Sequence, residues 1–218
     1  MSDDQQRDHT DDHGGEGEAV QFWDEHYRRR DQPWSGNPNA FLVEAVARRQ
    51  PGTALEIGCG EGGDAIWLAG QGWQVMAADI SDVALRRATE RARAAGVGAR
   101  VAFERHNLDQ TFPPGRFDLV GAFYLHSPLE FLRAKVLQHA ARAVAPGGLL
   151  LIVEHASTAP WSWNQEQRFP SPAETLASLD LASEQWHTER LAAPTRAATG
   201  PGGQIATVTD NVIALQRL

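Results

Sequence analysis

The chain has 218 residues, of which 28 are acidic and 20 basic, so its formal net charge is −8. No apolar run approaches the ~20 residues that a membrane-spanning helix needs, and the acidic N-terminus lacks the pattern of a signal peptide. We therefore expect a cytoplasmic protein that has no membrane partner. The single cysteine, Cys59, excludes an internal disulfide framework and a cysteine-based zinc site, and we expect no metal.

The first 18 residues differ in composition from the rest of the chain. They carry seven acids against Arg7 alone, a charge of −6, which leaves −2 for residues 19–218. A segment rich in Asp, Gly and His buries too little apolar surface to offset the entropy lost on ordering. We predict a disordered acidic tail over residues 1–18, and its charge argues against a nucleic-acid partner.

Residues 19–218 are predicted to form a single domain that begins with a helical cap over residues 19–50. Apolar residues at nearly helical spacing predict the first helix of this cap. The second is predicted to start at Asn37 as the N-cap, with Pro38 at the first helical position, and to extend to Arg49.

Short apolar strands then alternate with helical segments, which is typical of a parallel sheet covered by helices on both faces. Two further strands without a helix between them predict an antiparallel pair at the C-terminal edge. The fold class is therefore α/β, a Rossmann-like doubly wound sheet that is mostly parallel. The predicted strands are Thr53–Ile57, Trp73–Ala78, Val101–Glu104, Phe117–Phe123, Leu149–Val153, Trp186–Ala193 and Ile205–Leu215. The predicted helices are Asp64–Gly70, a helix capped by Ser81 that ends at Ala95, and one that starts at the capping-box sequence Ser127–Glu130 and ends at Val144.

The first strand ends in the glycine-rich sequence LEIGCGEGGD, at the edge where open α/β sheets bind ligands. Glycines let the backbone turn sharply and approach a ligand, and the N-terminus of the next helix offers N–H groups to an anion. Gly58, Gly60 and Gly63 also fit the dinucleotide pattern G-x-G-x-x-G, so this spacing alone leaves a nicotinamide coenzyme open.

Two acids narrow the choice of ligand. Glu56 lies two residues before Gly58, where a carboxylate repels a pyrophosphate and attracts a cation. Asp79 ends the second strand about 20 residues further on, where an acid accepts both hydroxyls of a ribose. S-adenosylmethionine carries both a nucleoside and positive charge, so it meets both requirements.

These motifs resemble those of the class I S-adenosylmethionine-dependent methyltransferases. LEIGCGEGGD matches the first signature of that family and AADIS the second, while FDLVGAFYLH and APGGLLLIVEH are similar to its fourth and fifth strands. The sequence GDAIWLAGQGWQVMAADIS, preceded by WSGNPNAFL, is most similar to the branch that contains thiopurine and tellurite-resistance methyltransferases. The resemblance covers residues 20–218 and implies methylation of a small-molecule acceptor with S-adenosylmethionine as the cofactor.

The resemblance also implies roles for individual positions. Gly58 and Gly60 would present backbone to the methionine part of the cofactor, Glu56 would lie near its ammonium group, and Asp79 would hold its ribose. Asn107 stands where the family often has Asp, and its amide oxygen still accepts a hydrogen bond from adenine. The other implied cofactor contacts are Trp34, Cys59, Ile80, Leu108 and Phe123.

Two histidines end strands at the predicted ligand edge and are candidates for proton transfer. His126 follows the fourth strand and His155 ends the fifth. We assign His126 as the catalytic base and Tyr124 to packing, with a structural role as the alternative for each histidine. A hydroxyl or amine acceptor needs such a base, whereas a thiol or chalcogenide needs less help.

We expect direct in-line transfer of the sulfonium methyl group to an O, S, N or chalcogen atom of the acceptor. Two other functions stay open, a nicotinamide-dependent oxidoreductase and a non-catalytic regulator that binds S-adenosylmethionine. Trp161 and Trp163 follow the fifth strand and either wall the acceptor pocket or form a lid. The arginines of LRRATERARAAG are predicted to form a solvated helix face rather than an RNA-binding surface.

Overall fold

The computed structural model describes residues 14–29, 36–162, 165–200 and 202–218. These parts of the chain form an eight-stranded sheet with helices packed on its faces. The helices are α1 (Gly14–Arg28), α2 (Ala40–Val46), α3 (Gly63–Gly70), α4 (Asp82–Ala94), α5 (Arg133–Arg142) and α6 (Pro172–Ser178). The strands are β1 (Thr53–Ile57), β2 (Gln74–Asp79), β3 (Val101–Arg105), β4 (Phe117–Phe123), β5 (Val144–His155), β6 (Trp186–Ala192), β7 (Thr195–Thr199) and β8 (Ile205–Arg217).

The strand order β3-β2-β1-β4-β5-β8-β6 confirms the predicted fold class. Strands β1 to β5 run parallel to one another, whereas β8 runs antiparallel to both β5 and β6. The first half of β8 pairs instead with β7, a strand that the sequence analysis missed. The carboxyl ends of β1, β2, β4 and β5 therefore face the same edge of the sheet.

The sheet separates two hydrophobic cores, and alternate residues of each central strand enter opposite ones. In β5, Leu149, Leu151 and Val153 pack on one face with α2 and α3, while Leu150 and Ile152 pack on the other with α5. All five side chains are buried, so the continuous apolar run of this strand reflects burial on both faces.

The N-terminal helices differ from the prediction at their starts. Helix α1 begins at Gly14, inside the predicted acidic tail, and residues 1–13 lie outside the described residues. It packs on α4, where Asp24 accepts hydrogen bonds from the Ser81 hydroxyl at 2.7 Å and from the Val83 amide at 3.2 Å. The prediction of Asn37 as the N-cap of α2 is wrong, because the Asn39 side chain accepts the hydrogen bond from the Phe41 amide.

The helix predicted from Ser127 begins only at Arg133. The Ser127 hydroxyl accepts a bond from the Leu129 amide, so it closes a local turn and does not cap a helix. The Arg133 side chain donates to the Leu125 carbonyl at 3.1 Å and pairs with Glu154, which is fully buried. These tertiary contacts hold the segment before α5 out of the helical conformation, although its sequence satisfies the capping box.

Strand β5 starts at Val144, before the Pro146–Gly147–Gly148 sequence that was expected to precede it. Phe117 of β4 pairs with Val144 and Leu119 pairs with Leu149, so a register shift accommodates the three extra residues. The sequence analysis also missed α6, which begins with a capping box made by Ser171 and Glu174. In the described residues, no helix combines the length and apolar character that crossing a membrane requires.

Candidate active site

The carboxyl ends of the parallel strands line a single cavity of about 520 Å³. This volume lies in the range of about 300–1,000 Å³ that is usual for small-molecule sites. Ten of the predicted site residues line it: Glu56, Gly58, Cys59, Gly60, Asp79, Ile80, Asn107, Leu108, Phe123 and His126. The eleventh, Trp34, lies outside the described residues.

The glycine-rich turn after β1 needs glycine for steric reasons. Gly58 has a φ of +70°, and a Cβ at this position would lie 2.6 Å from Leu125 Cδ1. Its amide donates to the Ala78 carbonyl at 2.8 Å, which ties the turn to the end of β2. Cys59 is buried in this turn, and burial raises the pKa of its thiol well above the ordinary value, so it is not a reactive nucleophile.

Asp79 joins the glycine-rich turn to α4. One carboxylate oxygen accepts from the Gly60 amide at 2.8 Å and the other from the Ser81 amide at 2.9 Å. Burial raises the pKa of Asp79, and these two hydrogen bonds act in the opposite direction. A carboxylate has about four acceptor positions, so Asp79 retains the capacity to accept ligand hydroxyls.

Glu56 is a buried acid that is only partly hydrogen-bonded. Its side chain is 3% exposed, and its Oε2 atom has no hydrogen-bond partner among the described residues. Burial, followed by the charge of Asp64, raises the pKa of Glu56 well above its usual range. A cation in the cavity would supply the missing partner and would lower that pKa.

Two further acids hold the surrounding helices together and were missed by the sequence analysis. Asp64 accepts from the Asn39 amide at 2.5 Å and so links α3 to the start of α2, and burial raises its pKa to about 6. Glu61 is buried between Arg87 at 2.8 Å and Arg91 at 3.4 Å. These two arginines of α4 therefore turn towards the glycine-rich turn, in contrast to the predicted solvated face.

The opposite side of the cavity contains a polar cluster centred on Asp210 of β8, whose side chain is fully buried. The Tyr124 hydroxyl donates to Asp210 Oδ2 at 2.8 Å, and Arg196 Nε donates to the same oxygen at 2.5 Å. His155 Nδ1 lies 3.6 Å from Asp210 Oδ1, and the His155 ring stacks on Tyr124 with centroids 4.4 Å apart. We call these four residues the Asp210 cluster.

The sequence analysis proposed His155 as a candidate but missed Asp210 and Arg196. A signal was present, since the polar pair Asp210–Asn211 immediately precedes the apolar run Val212–Leu215 in a strand predicted to pair at the sheet edge. In the structure Asp210 pairs directly with His155 in the antiparallel register of β5 and β8. Two polar residues at the ligand end of a buried strand are a reason to look for a function.

His126 lines the cavity next to the Asp210 cluster, with its ring stacked 5.9 Å from that of His155. Burial, and then the charges of Arg133 and His155, lowers the pKa of His126 to about 4. Its Nε2 atom is buried without a hydrogen-bond partner in the described part of the chain. This environment keeps His126 neutral at physiological pH.

The two tryptophans after β5 are not both described. Trp161 packs close to Gly200 at the turn between β7 and β8 and does not line the cavity. The expectation that it walls the acceptor pocket is therefore wrong for Trp161. Trp163 lies outside the described residues.

Comparison with known proteins identifies the family. Residues 25–194 match the profile of the methyltransferase domain family. The chain therefore belongs to this family, and its fold is that of a class I S-adenosylmethionine-dependent methyltransferase.

The individual relatives have low sequence identity to this chain. The chain is 26% identical over 178 residues to a 2-heptyl-1-hydroxyquinolin-4(1H)-one methyltransferase of Mycobacteroides abscessus, a match that covers 79% of this chain and 76% of that protein. It is 32% identical over 109 residues to a probable tocopherol O-methyltransferase of Oryza sativa, covering 49% of this chain but only 30% of the rice protein. Among solved structures, magnesium protoporphyrin IX methyltransferase from Synechocystis with bound SAH has a TM-score of 0.63 at 17% identity, covering 93% and 99% of the two chains, which shows a shared fold.

Proposed function

We propose that the protein binds S-adenosylmethionine in the cavity and catalyses transfer of its methyl group to a nucleophilic atom of a small molecule. The observation that carries this proposal is the buried Glu56 carboxylate, whose Oε2 atom has no partner beside the glycine-rich turn. The names of the rice and mycobacterial relatives, which refer to tocopherol and to a hydroxyquinolone, support a small-molecule acceptor.

The residues of the cavity fit this cofactor group by group. Glu56 suits its ammonium group, the backbone of the glycine-rich turn suits its carboxylate, and Asp79 suits its ribose hydroxyls. Ile80 follows Asp79 in the chain, and Asn107 and Leu108 follow β3, whose last residue pairs with Asp79, so these three lining residues are assigned to adenine. When bound, the cofactor supplies a methyl group that is already activated on a sulfonium.

The charge of the cavity favours a cationic methyl donor. Among the described residues, six acidic side chains line it, while the two lining arginines, Arg91 and Arg196, are paired with Glu61 and Asp210. A pyrophosphate at the glycine-rich turn would disfavour the ionisation of Glu56 further, whereas an ammonium group favours it and donates a hydrogen bond to the unpartnered Oε2 atom. This observation favours S-adenosylmethionine over a nicotinamide coenzyme.

The chain itself has to align the two reactants and keep water away from them. Phe123 at the end of β4 and Leu125 in the following segment provide apolar walls of the cavity. Holding two reactants in a productive geometry lowers a bimolecular barrier by about 7–11 kcal/mol at best. No covalent bond to the protein is needed, which agrees with the raised pKa of the Cys59 thiol.

Calorimetry with purified protein tests the cofactor. We expect SAH to bind and NAD⁺ not to bind, and the reverse result would overturn the proposal. A second measurement is SAH release in the presence of S-adenosylmethionine and a panel of phenols, thiols, amines and chalcogen oxyanions. If SAH binds but no compound in the panel causes SAH release, the protein is a cofactor-binding regulator and the catalytic part of the proposal fails.

A further inference from the structure

The Asp210 cluster is arranged to control the tautomer of His155. The His155 side chain is 41% exposed and lines the cavity, whereas Asp210 is fully buried 3.6 Å from its Nδ1 atom. At this distance the contact is electrostatic and longer than a hydrogen bond, and a carboxylate so close to Nδ1 favours the proton on that nitrogen and the lone pair on Nε2. The Nε2 atom, on the opposite side of the ring, is thus the one prepared to accept a proton.

None of the groups that face His155 is available as the base in this part of the cavity. Tyr124 is not available, because its hydroxyl donates to Asp210 and accepts from Arg196 at 3.3 Å, and burial raises its pKa. His126 also stacks on His155, and burial lowers its pKa to about 4, so it is a weak proton acceptor. Arg196 is engaged with Asp210, and the fourth neighbour, Phe169, contributes only an apolar ring edge 5.9 Å away.

The cavity also restricts the acceptor. Both arginines that line its described part are paired with acids, and six acidic side chains line the same part, so a selenium or tellurium oxyanion finds no free arginine there. The rings of Tyr124, His155 and His126 are stacked, with interplanar angles of 27° and 15°, so their faces are turned towards one another and their edges are left for the cavity that they line. Aromatic edges pack favourably against the face of another ring, so this wall suits a planar, uncharged molecule.

We propose that His155, oriented by Asp210, is the general base of the reaction and that the acceptor is a neutral hydroxyl group on a planar ring. This inference rests on the proposed function and names the acceptor class of the same site. As the oxygen–methyl bond forms, the methyl–sulfur bond breaks and sulfur keeps its electron pair. The hydroxyl proton passes to Nε2 of His155, which later loses it to solvent.

The first test compares hydroxyl, thiol and tellurite acceptors in the wild type and two variants. Phenol, 2-naphthol and 8-hydroxyquinoline are assayed beside the corresponding thiols, thiophenol and 2-naphthalenethiol, and beside tellurite. We expect His155→Gln to slow hydroxyl methylation by about 10²–10⁴-fold, while thiol methylation and SAH affinity stay within about fivefold. His187→Gln, an exposed histidine of β6, is the matched control and should behave as wild type.

A second readout does not depend on turnover. Nitrogen-15 NMR of the imidazoles of the wild-type protein bound to SAH should show His155 as the Nδ1–H tautomer, and Asp210→Asn should shift it towards Nε2–H. An Nε2–H tautomer in the wild type would overturn the proposal, even if Asp210→Asn fails to fold. So would methylation of only thiols or tellurite, unimpaired His155→Gln, or SAH binding with no hydroxyl compound methylated. A wild-type protein that does not bind SAH would instead refute the proposed function.

Discussion

The two sides of the cavity both contain buried acids, but these acids are satisfied in different ways. On the side of the glycine-rich turn, Glu56 has an oxygen without a partner, and burial raises its pKa. On the opposite side, Asp210 contacts His155, Arg196 and Tyr124, whose interactions lower its pKa despite burial. The first acid lacks a cation that a ligand would bring, whereas the second has its cation supplied by the protein. We infer that the side with Glu56 binds the cofactor and that the side with Asp210 is already assembled for the proposed reaction before a ligand binds.

The largest effect is expected on the ligand-binding side from Asp79→Ala. This change removes the acceptor of two buried amides, Gly60 and Ser81, and also the proposed ribose contact. We expect SAH affinity to fall by about 100-fold, or about 2.7 kcal/mol, and the free energy of unfolding to fall by about 1–3 kcal/mol. Calorimetry and chemical denaturation measure the two quantities. Asp82→Asn, a half-exposed neighbour on α4, is the control, and equal SAH affinity in both variants would contradict the assignment.

A smaller effect is expected from Glu56→Gln. In the free protein the raised pKa keeps Glu56 protonated to higher pH than usual, and a bound ammonium group lowers that pKa, so binding should release a proton. SAH affinity should therefore increase with pH in the wild type, and Glu56→Gln should lose this increase and bind about tenfold more weakly at pH 8.

Calorimetry in buffers of different ionisation enthalpy counts the released proton. Glu90→Gln, an exposed acid of α4, should release it as the wild type does. If the wild type shows no proton release at any pH between 5 and 8, the contrast between the two sides of the cavity loses its electrostatic basis.

The smallest expected effect is a change in the free energy of unfolding of the ligand-free protein. Burial raises the pKa of Asp64 to about 6 from 3.8, so its ionisation destabilises the folded state as the pH rises above 3.8. Asp64→Asn should raise the free energy of unfolding by about 1 kcal/mol at pH 8 and leave it unchanged near pH 3, because the amide keeps an acceptor for the Asn39 amide.

Asp210→Asn should lower the free energy of unfolding at pH 8, because the lowered pKa of Asp210 stabilises the fold above pH 3.8 and this stability is lost in acid. Denaturation curves across pH that shift in the same direction for both variants would refute the contrast.

The parts of the fold that depend on local patterns were predictable from the sequence. The central strands are continuous apolar runs, and the glycine-rich turn and Asp79 lie at strand ends, so their meeting at one edge follows from parallel order. The Ser127 capping box failed because Arg133 is held by the buried Glu154. Strand β7 was missed because its pairing with β8 is non-local and its exposed residues alternate with half-buried ones.

The candidate site was predictable where its residues lie in a recognisable motif or at the end of a predicted parallel strand. Glu56, Gly58 and Gly60 lie in one such motif, and Asp79 follows at a typical spacing. The Asp210 cluster is drawn instead from positions 124, 155, 196 and 210, and only the antiparallel register of β8 against β5 joins them. Choosing between His126 and His155 required knowing which ring lies beside a carboxylate, and sequence order contains no such information.

The position of β8 has a consequence for how the molecule is made. During synthesis from the N-terminus, β1 to β5 emerge first, and β5 is then an unpaired edge with five consecutive aliphatic residues, Leu149–Val153. Such an edge is prone to pair with other chains until it is covered. Insertion of β8 covers it and in the same step delivers Asp210 to His155. A nascent polypeptide that has not yet released β8 from the ribosome thus lacks the contact between Asp210 and His155 and is vulnerable to aggregation.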